Sequence, residues 1–140
     1  MAVLFYELIS VDLRERKRLK QFISFLFLKE GKQLLNMNII FCSDEYLLKI
    51  NNDHLKHDFY TDIITFDLTE KHTTPITCEL YISIERVRDN ALAFKTSISK
   101  ELHRVIFHGA LHLCGFRDKS KKNIETMRAK EGEYLALYFL

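Results

Sequence analysis

With 140 residues, 47% of them hydrophobic and 29% charged, the chain has the composition of a folded soluble domain, which excludes a disordered one. It is long enough to bury roughly two-thirds of its unfolded surface. Four glycines and one proline leave little material for linkers, so one domain over 1–140 is expected. A net charge of +2 is too small to announce a nucleic-acid-binding domain by itself.

The opening Ala2-Val3-Leu4-Phe5-Tyr6 lacks a basic start and a small-residue cleavage site, so it predicts a strand over about 2–9 rather than a targeting segment. Asp12 is placed to cap a helix reaching about Lys29, with Leu19, Phe22, Ile23 and Leu26 at helical spacing and Gly31 just beyond. The apolar stretch from Phe22 to Leu28 is far short of the ~20 residues that a membrane span needs. Arg14, Arg16, Lys17, Arg18 and Lys20 crowd the start of this helix, and such runs are usually solvated faces. A β-branched and aromatic run predicts a strand over 34–42. Ser43 then caps a short helix whose first turn holds Asp44 and Glu45, the charge sign that a helix start prefers. A polar loop over about 53–60 carries His54 and His57, which read as surface residues. Strands follow over 63–68 and 76–84, joined by a polar turn with Pro75, then helices over 85–94, 98–114 and about 120–138. Strands clustered between helices, with too few crossovers for a doubly wound sheet, imply an α+β fold with a small mixed sheet. Cys42, Cys78 and Cys114 are an odd, scattered trio, which predicts reduced, packed thiols and a cytoplasmic protein.

The chemistry concentrates in His108-Gly109-Ala110-Leu111-His112-Leu113-Cys114-Gly115-Phe116-Arg117-Asp118. Residues i and i+4 share a helix face, so His108 and His112 can aim both imidazoles at one point. Gly115 suits the left-handed position that ends a helix, after which Asp118 can return toward that point. Two imidazoles and a carboxylate form a catalytic zinc set with the fourth position left for water. A closed structural site needs a fourth protein ligand, usually cysteine, but Cys114 lies about 200° around the helix from His112 and should point away. The spacing copies the H-E-x-x-H-x-x-G-x-x-H pattern of metzincin proteases, with Gly109 in place of the glutamate and Asp118 in place of the third histidine. Losing that glutamate forfeits general-base help worth about 10²–10⁴ in rate, which favours a phosphodiester over a peptide substrate. Gly109 costs about 1 kcal/mol inside a helix. A side-chain-free position there serves either close approach of a substrate or backbone, or tight packing on the sheet. Lys119, Lys121 and Lys122 follow the third ligand and are placed to meet a polyanion. Glu131 falls on the apolar stripe of the last helix with Ile124, Met127, Tyr134, Leu135 and Tyr138, where a carboxylate needs a partner. It either hydrogen-bonds a ligating imidazole or pairs with a basic side chain. On the first reading, Glu131→Gln weakens metal binding and leaves the fold intact. His72 and His103 carry no usable signal.

These residues resemble the YbeY family of metal-dependent endoribonucleases, whose signature H-G-x-L-H-L-x-G-[YF]-x-H is met from His108 to Asp118 with only the last ligand changed. Ile50-Asn51 with Thr61-Asp62-Ile63-Ile64-Thr65-Phe66 is similar to the family's L-N…T-D-V-L-S-F segment, and Glu79-Leu80-Tyr81-Ile82-Ser83 to its D-I-x-I-S strand. Met127 and Glu131 fall on its M-x-x-x-E, so the resemblance spans roughly 35 to 138. It implies a single-strand-preferring, zinc-dependent endoribonuclease that matures ribosomal RNA, with one ion per chain on His108, His112 and Asp118. It implies RNA and possible ribosomal components as partners, no membrane, and a role for Glu131 beside the site. Leu55 stands where the family carries a substrate-clamping arginine, so the neighbouring Lys56 is the candidate substrate-binding cation; Tyr60 stands where a proline is usual. No general base or nucleophile is assigned. The alternatives are a ribosome-associated assembly factor with a mainly structural metal, and a zinc peptidase-like hydrolase.

Overall fold

A computed structural model describes residues 2–55, 60–70 and 75–140; His57, Lys56 and His72 lie outside them, as does the side chain of Leu55. In chain order the elements are β1 (Ala2–Glu7), α1 (Arg16–Lys29), β2 (Gln33–Cys42), α2 (Asp44–Leu55), β3 (Ile63–Asp67), β4 (Pro75–Ser83), α3 (Ile84–Ala93), α4 (Ile98–Leu113) and α5 (Lys121–Tyr138). The strands form one mixed sheet in the order β1-β2-β4-β3. β1 runs parallel to β2 and β2 parallel to β4, while β3 is antiparallel to β4 and forms an edge. This is the small mixed sheet of an α+β domain. No helix among the described residues is long and apolar enough to cross a membrane.

Alternation along the strands sets the layers. Met37, Ile39 and Phe41 of β2 and Cys78, Leu80 and Ile82 of β4 point to one face, where they join Leu19, Ile23, Leu26 and Phe27 of α1 and Val105, Ile106 and Phe107 of α4 in the main core. The intervening residues Cys42, Ile64 and Tyr81 point to the other face and pack with Leu47 of α2 in a smaller cluster. All three cysteines are free and buried, and burial pushes their thiols up to about 12. They are packing residues.

Helix ends follow local chemistry in most places. Ser97 and Ser120 accept hydrogen bonds from Lys100 and Asn123 at the starts of α4 and α5, and Ser43 accepts one from Tyr46. The start of α1 differs from the sequence expectation. Asp12 does not cap it: the helix begins at Arg16, and Glu15, at φ 53°, turns the chain without any side-chain cap. Asp12 instead pairs with Arg14 at 3.4 Å. Leu13, which is buried, holds this approach segment against the core, so packing overrides the capping signal. The predicted loop from Asp53 is shorter too, since α2 continues to Leu55.

Candidate metal centre and its cleft

Helix α4 presents His108 and His112 from its last two turns. Its end is fixed by a paired motif in which Gly115 N–H donates to the His112 carbonyl and Phe116 N–H to that of Leu111, with Gly115 at φ +104°. A side chain would strain that left-handed glycine. The reversal brings Asp118 back so that its Oδ2 lies 3.3 Å from Nε2 of His108 and 3.3 Å from Nε2 of His112. The three ligand atoms lie within 4.8 Å of one another, and no cysteine or second carboxylate joins them among the described residues. Cys114 faces the main core, as its helical angle predicts.

The outer nitrogens explain why this cluster suits a cation. His112 Nδ1 lies 2.9 Å from the Phe116 carbonyl, which can only accept, so Nδ1 carries the proton. His108 Nδ1 lies 2.6 Å from Glu131 Oε2. Burial alone would raise the Glu131 carboxyl, but hydrogen bonds from His108 and Arg128, with the charges of His108 and Arg104, bring it below the ordinary carboxylate range. It is therefore ionised and accepts from His108. With each Nδ1 held in this way, Nε2 is the ring atom that both imidazoles present to the Asp118 carboxylate. Two ring nitrogens and one carboxylate oxygen gathered at one point are a donor set for zinc.

Behind His108 sits a network of which the sequence reading identified only Glu131. Both alternatives for that residue hold together: one oxygen accepts from His108, the other from Arg104 at 3.1 Å and Arg128 at 2.8 Å. Arg104 also reaches Glu101 at 2.7 Å and Asp62 at 3.5 Å. Burial opposes the Arg104 charge, but Glu101 and Glu131 outweigh it and raise its pKa. Arg104 lies four residues before His108, and Glu101 three before Arg104, so their sharing of the imidazole's helix face was readable from spacing. What spacing does not reveal is that both are turned inward.

Beside these three side chains a cleft of about 370 Å³ opens, lined by Thr61 and Asp62 just before β3, Ile63 and Thr65 within it, Asn51 of α2 and the exposed Lys119. Lys119 is the one member of its predicted basic cluster that lines this cleft; Lys121 and Lys122 are exposed on α5. The earlier basic cluster stays at the surface, with Arg14, Lys17 and Arg18 exposed, while Arg16 pairs with Glu7, Arg18 bonds the Tyr138 carbonyl and Lys20 lies over the Phe5 ring. His54 sits edge-on to Phe66 and outside the cleft. His103 is buried against Tyr138 and Phe139, and burial lowers its pKa.

Gly109 resolves toward packing. A Cβ built there would lie 2.7 Å from Ile63 Cδ1 and 2.8 Å from Leu80 Cδ2, so the missing side chain lets α4 approach β3 and β4 and seats His108 at the cleft wall. Gly109→Ala is expected to destabilise the protein by about 1–2 kcal/mol despite the helix propensity it gains, because Leu80 is fully buried and has no room to yield. Urea denaturation measures this; a variant as stable as the wild type would show that the contact is slack.

A sequence model of the endoribonuclease YbeY family matches residues 7–138. Among curated relatives of that name, the Cytophaga hutchinsonii protein is 47% identical over 133 residues, covering 95% of this chain and 92% of its own. The Christiangramia forsetii protein is 50% identical over 109 residues, covering 78% and 75%. The Porphyromonas gingivalis protein is 46% identical over 129 residues, covering 92% and 84%. A Thermotoga maritima protein known from a solution structure superposes with a TM-score of 0.64 at 26% identity, covering 99% of this chain and 89% of that one.

Proposed function

This chain belongs to the YbeY family of endoribonucleases, and on that premise we propose that it cleaves single-stranded segments of ribosomal RNA precursors with one zinc ion held by His108, His112 and Asp118. The observation that carries the reading is the convergence of three potential ligand atoms from one helix and its returning turn, at the wall of an open cleft. Zinc in that cage would supply a Lewis acid toward a phosphoryl oxygen or an attacking water.

The chain's own groups do the rest. Glu131 and the Phe116 carbonyl hold the imidazoles with Nε2 toward the cleft. Lys119, exposed at the cleft, offers a cation to a phosphate, and Thr61 and Thr65 also line it. Gly109 leaves no carboxylate where a protease carries its base. RNA tolerates that loss better than a peptide does, because its 2′-hydroxyl is a potential nucleophile. Lys56 remains the candidate for the clamping role of the family's arginine, as a point charge rather than a bidentate fork. Buried free thiols agree with action in the cytoplasm.

Incubation of purified protein with single-stranded RNA and with casein, each with and without a chelator, tests this reading. Expected is RNA cleavage that the chelator stops, and intact casein. Casein cleavage would favour a peptidase. Uncut RNA together with retained ribosome binding would favour an assembly factor.

A further inference from the structure

A second depression, of about 360 Å³, lies beside the metal cleft between the α3–α4 turn and α5. Its apolar walls are Phe94 and Leu135, and its polar rim carries Lys100, Arg104 and Arg128. The one carboxylate there, Glu101, is buried and already paired with Arg104. Phe94 is 59% exposed, so the chain itself does not cover this ring. The Arg128 side chain is 54% exposed and gives Nη1 to Glu131, which leaves part of its guanidinium outward. Lys100 makes no ion pair among the described residues. Arg104 and Arg128 are compensated by Glu101 and Glu131, so among the described residues Lys100 is the unpaired cation through which the rim favours an anion, while the walls favour an apolar or aromatic group.

Position ties the depression to the site. Arg104 lines the depression, Asp62 lines the metal cleft, and these two side chains pair at 3.5 Å, so the hollows share a wall. Lys100, Arg104 and His108 follow one another at four-residue spacing on α4, about 6 Å per step. A strand whose phosphodiester lies at the imidazoles can thus reach the depression with a neighbouring nucleotide.

We propose that this depression is a subsite for one unpaired base of the RNA strand being cut, with the base against Phe94 and Leu135 and a flanking phosphate on Lys100 and Arg128. The proposal rests on the endoribonuclease reading. An aromatic wall accepts the π-face of any base, whereas a base inside a duplex is already stacked and paired. The subsite therefore supplies a physical cause for single-strand preference without reading sequence.

The test is binding of a fluorescently labelled single-stranded oligoribonucleotide, followed by anisotropy in chelator so that no cleavage intervenes. Phe94→Ala is expected to bind roughly 5- to 150-fold more weakly than wild type, the range of one lost base–aromatic stack, and Phe94→Trp to restore binding. Lys100→Gln should reduce the slope of log affinity against log salt by about one. An abasic nucleotide walked along the oligonucleotide should weaken wild-type binding at one position and leave Phe94→Ala unaffected there. Equal affinities, or identical abasic profiles in the two proteins, would overturn the subsite while the cleavage reading stands. RNA that the wild type neither binds nor cuts would overturn both. Thermal melting serves as the folding control, and Phe94 is exposed enough for its removal to leave the melt nearly unchanged.

Discussion

Alanine at position 108 is expected to abolish stoichiometric metal binding and to lower RNA cleavage by about 10³-fold or more. The imidazole supplies one of three ligand atoms, and losing a metal's charge at a phosphoryl centre removes several kcal/mol of transition-state stabilisation, with each 1.36 kcal/mol worth tenfold. The fold should survive, because the His108 side chain is partly exposed and Glu131 keeps Arg104 and Arg128 as partners. Metal content by native mass spectrometry and cleavage of a defined RNA are the readouts, with a thermal melt to confirm folding. Cleavage equal to wild type in a preparation free of other nucleases would refute the assignment of this residue. His112→Ala should behave alike, since its Nε2 occupies the equivalent place opposite Asp118.

Glu131→Gln is expected to weaken metal binding by about 10- to 100-fold and also to destabilise the protein by about 3 kcal/mol. The first effect follows from the loss of an anionic acceptor that fixes the His108 tautomer. The second departs from what the sequence suggests. The carboxylate is 2% exposed and neutralises two guanidiniums, and removing one partner of a buried ion pair leaves charge uncompensated. The cost lies at the lower end of the usual range, because Arg104 retains Glu101 and Asp62. There is a pH signature as well. The Glu131 carboxyl is depressed in the folded state, so its contribution to stability is complete above the unfolded glutamate value and is lost as pH falls from there through the folded value. In the metal-free wild type, stability should therefore fall with acidification across that window, and the glutamine variant should show a shallower fall. Denaturant midpoints between pH 3 and 7 measure both. An unchanged midpoint with unchanged metal affinity would reduce the residue to packing.

Much of this molecule is legible in its sequence. His108, His112, Gly115 and Asp118 encode their own convergence, because a four-residue step on a helix and a glycine that reverses the chain are local geometry. Ser43 marks a helix start for the same reason, and a β-branched and aromatic run marks the strand over 34–42. The start of α1 was misread: Asp12 carries a capping signal that the buried Leu13 overrides, and such a contact has no trace in a short window.

Local spacing and periodicity thus determined the secondary elements, the α+β class and the three converging side chains. Only the tertiary structure decided what surrounds them: that Gly109 exists for the approach of α4 to Ile63 and Leu80, that Glu131 joins two arginines to His108, and that Asp62 and Arg104 stand between two hollows. Those facts depend on which elements pack together and at what distance. That is set by the whole core at once, whereas a ligand pair on one helix is set within a single turn.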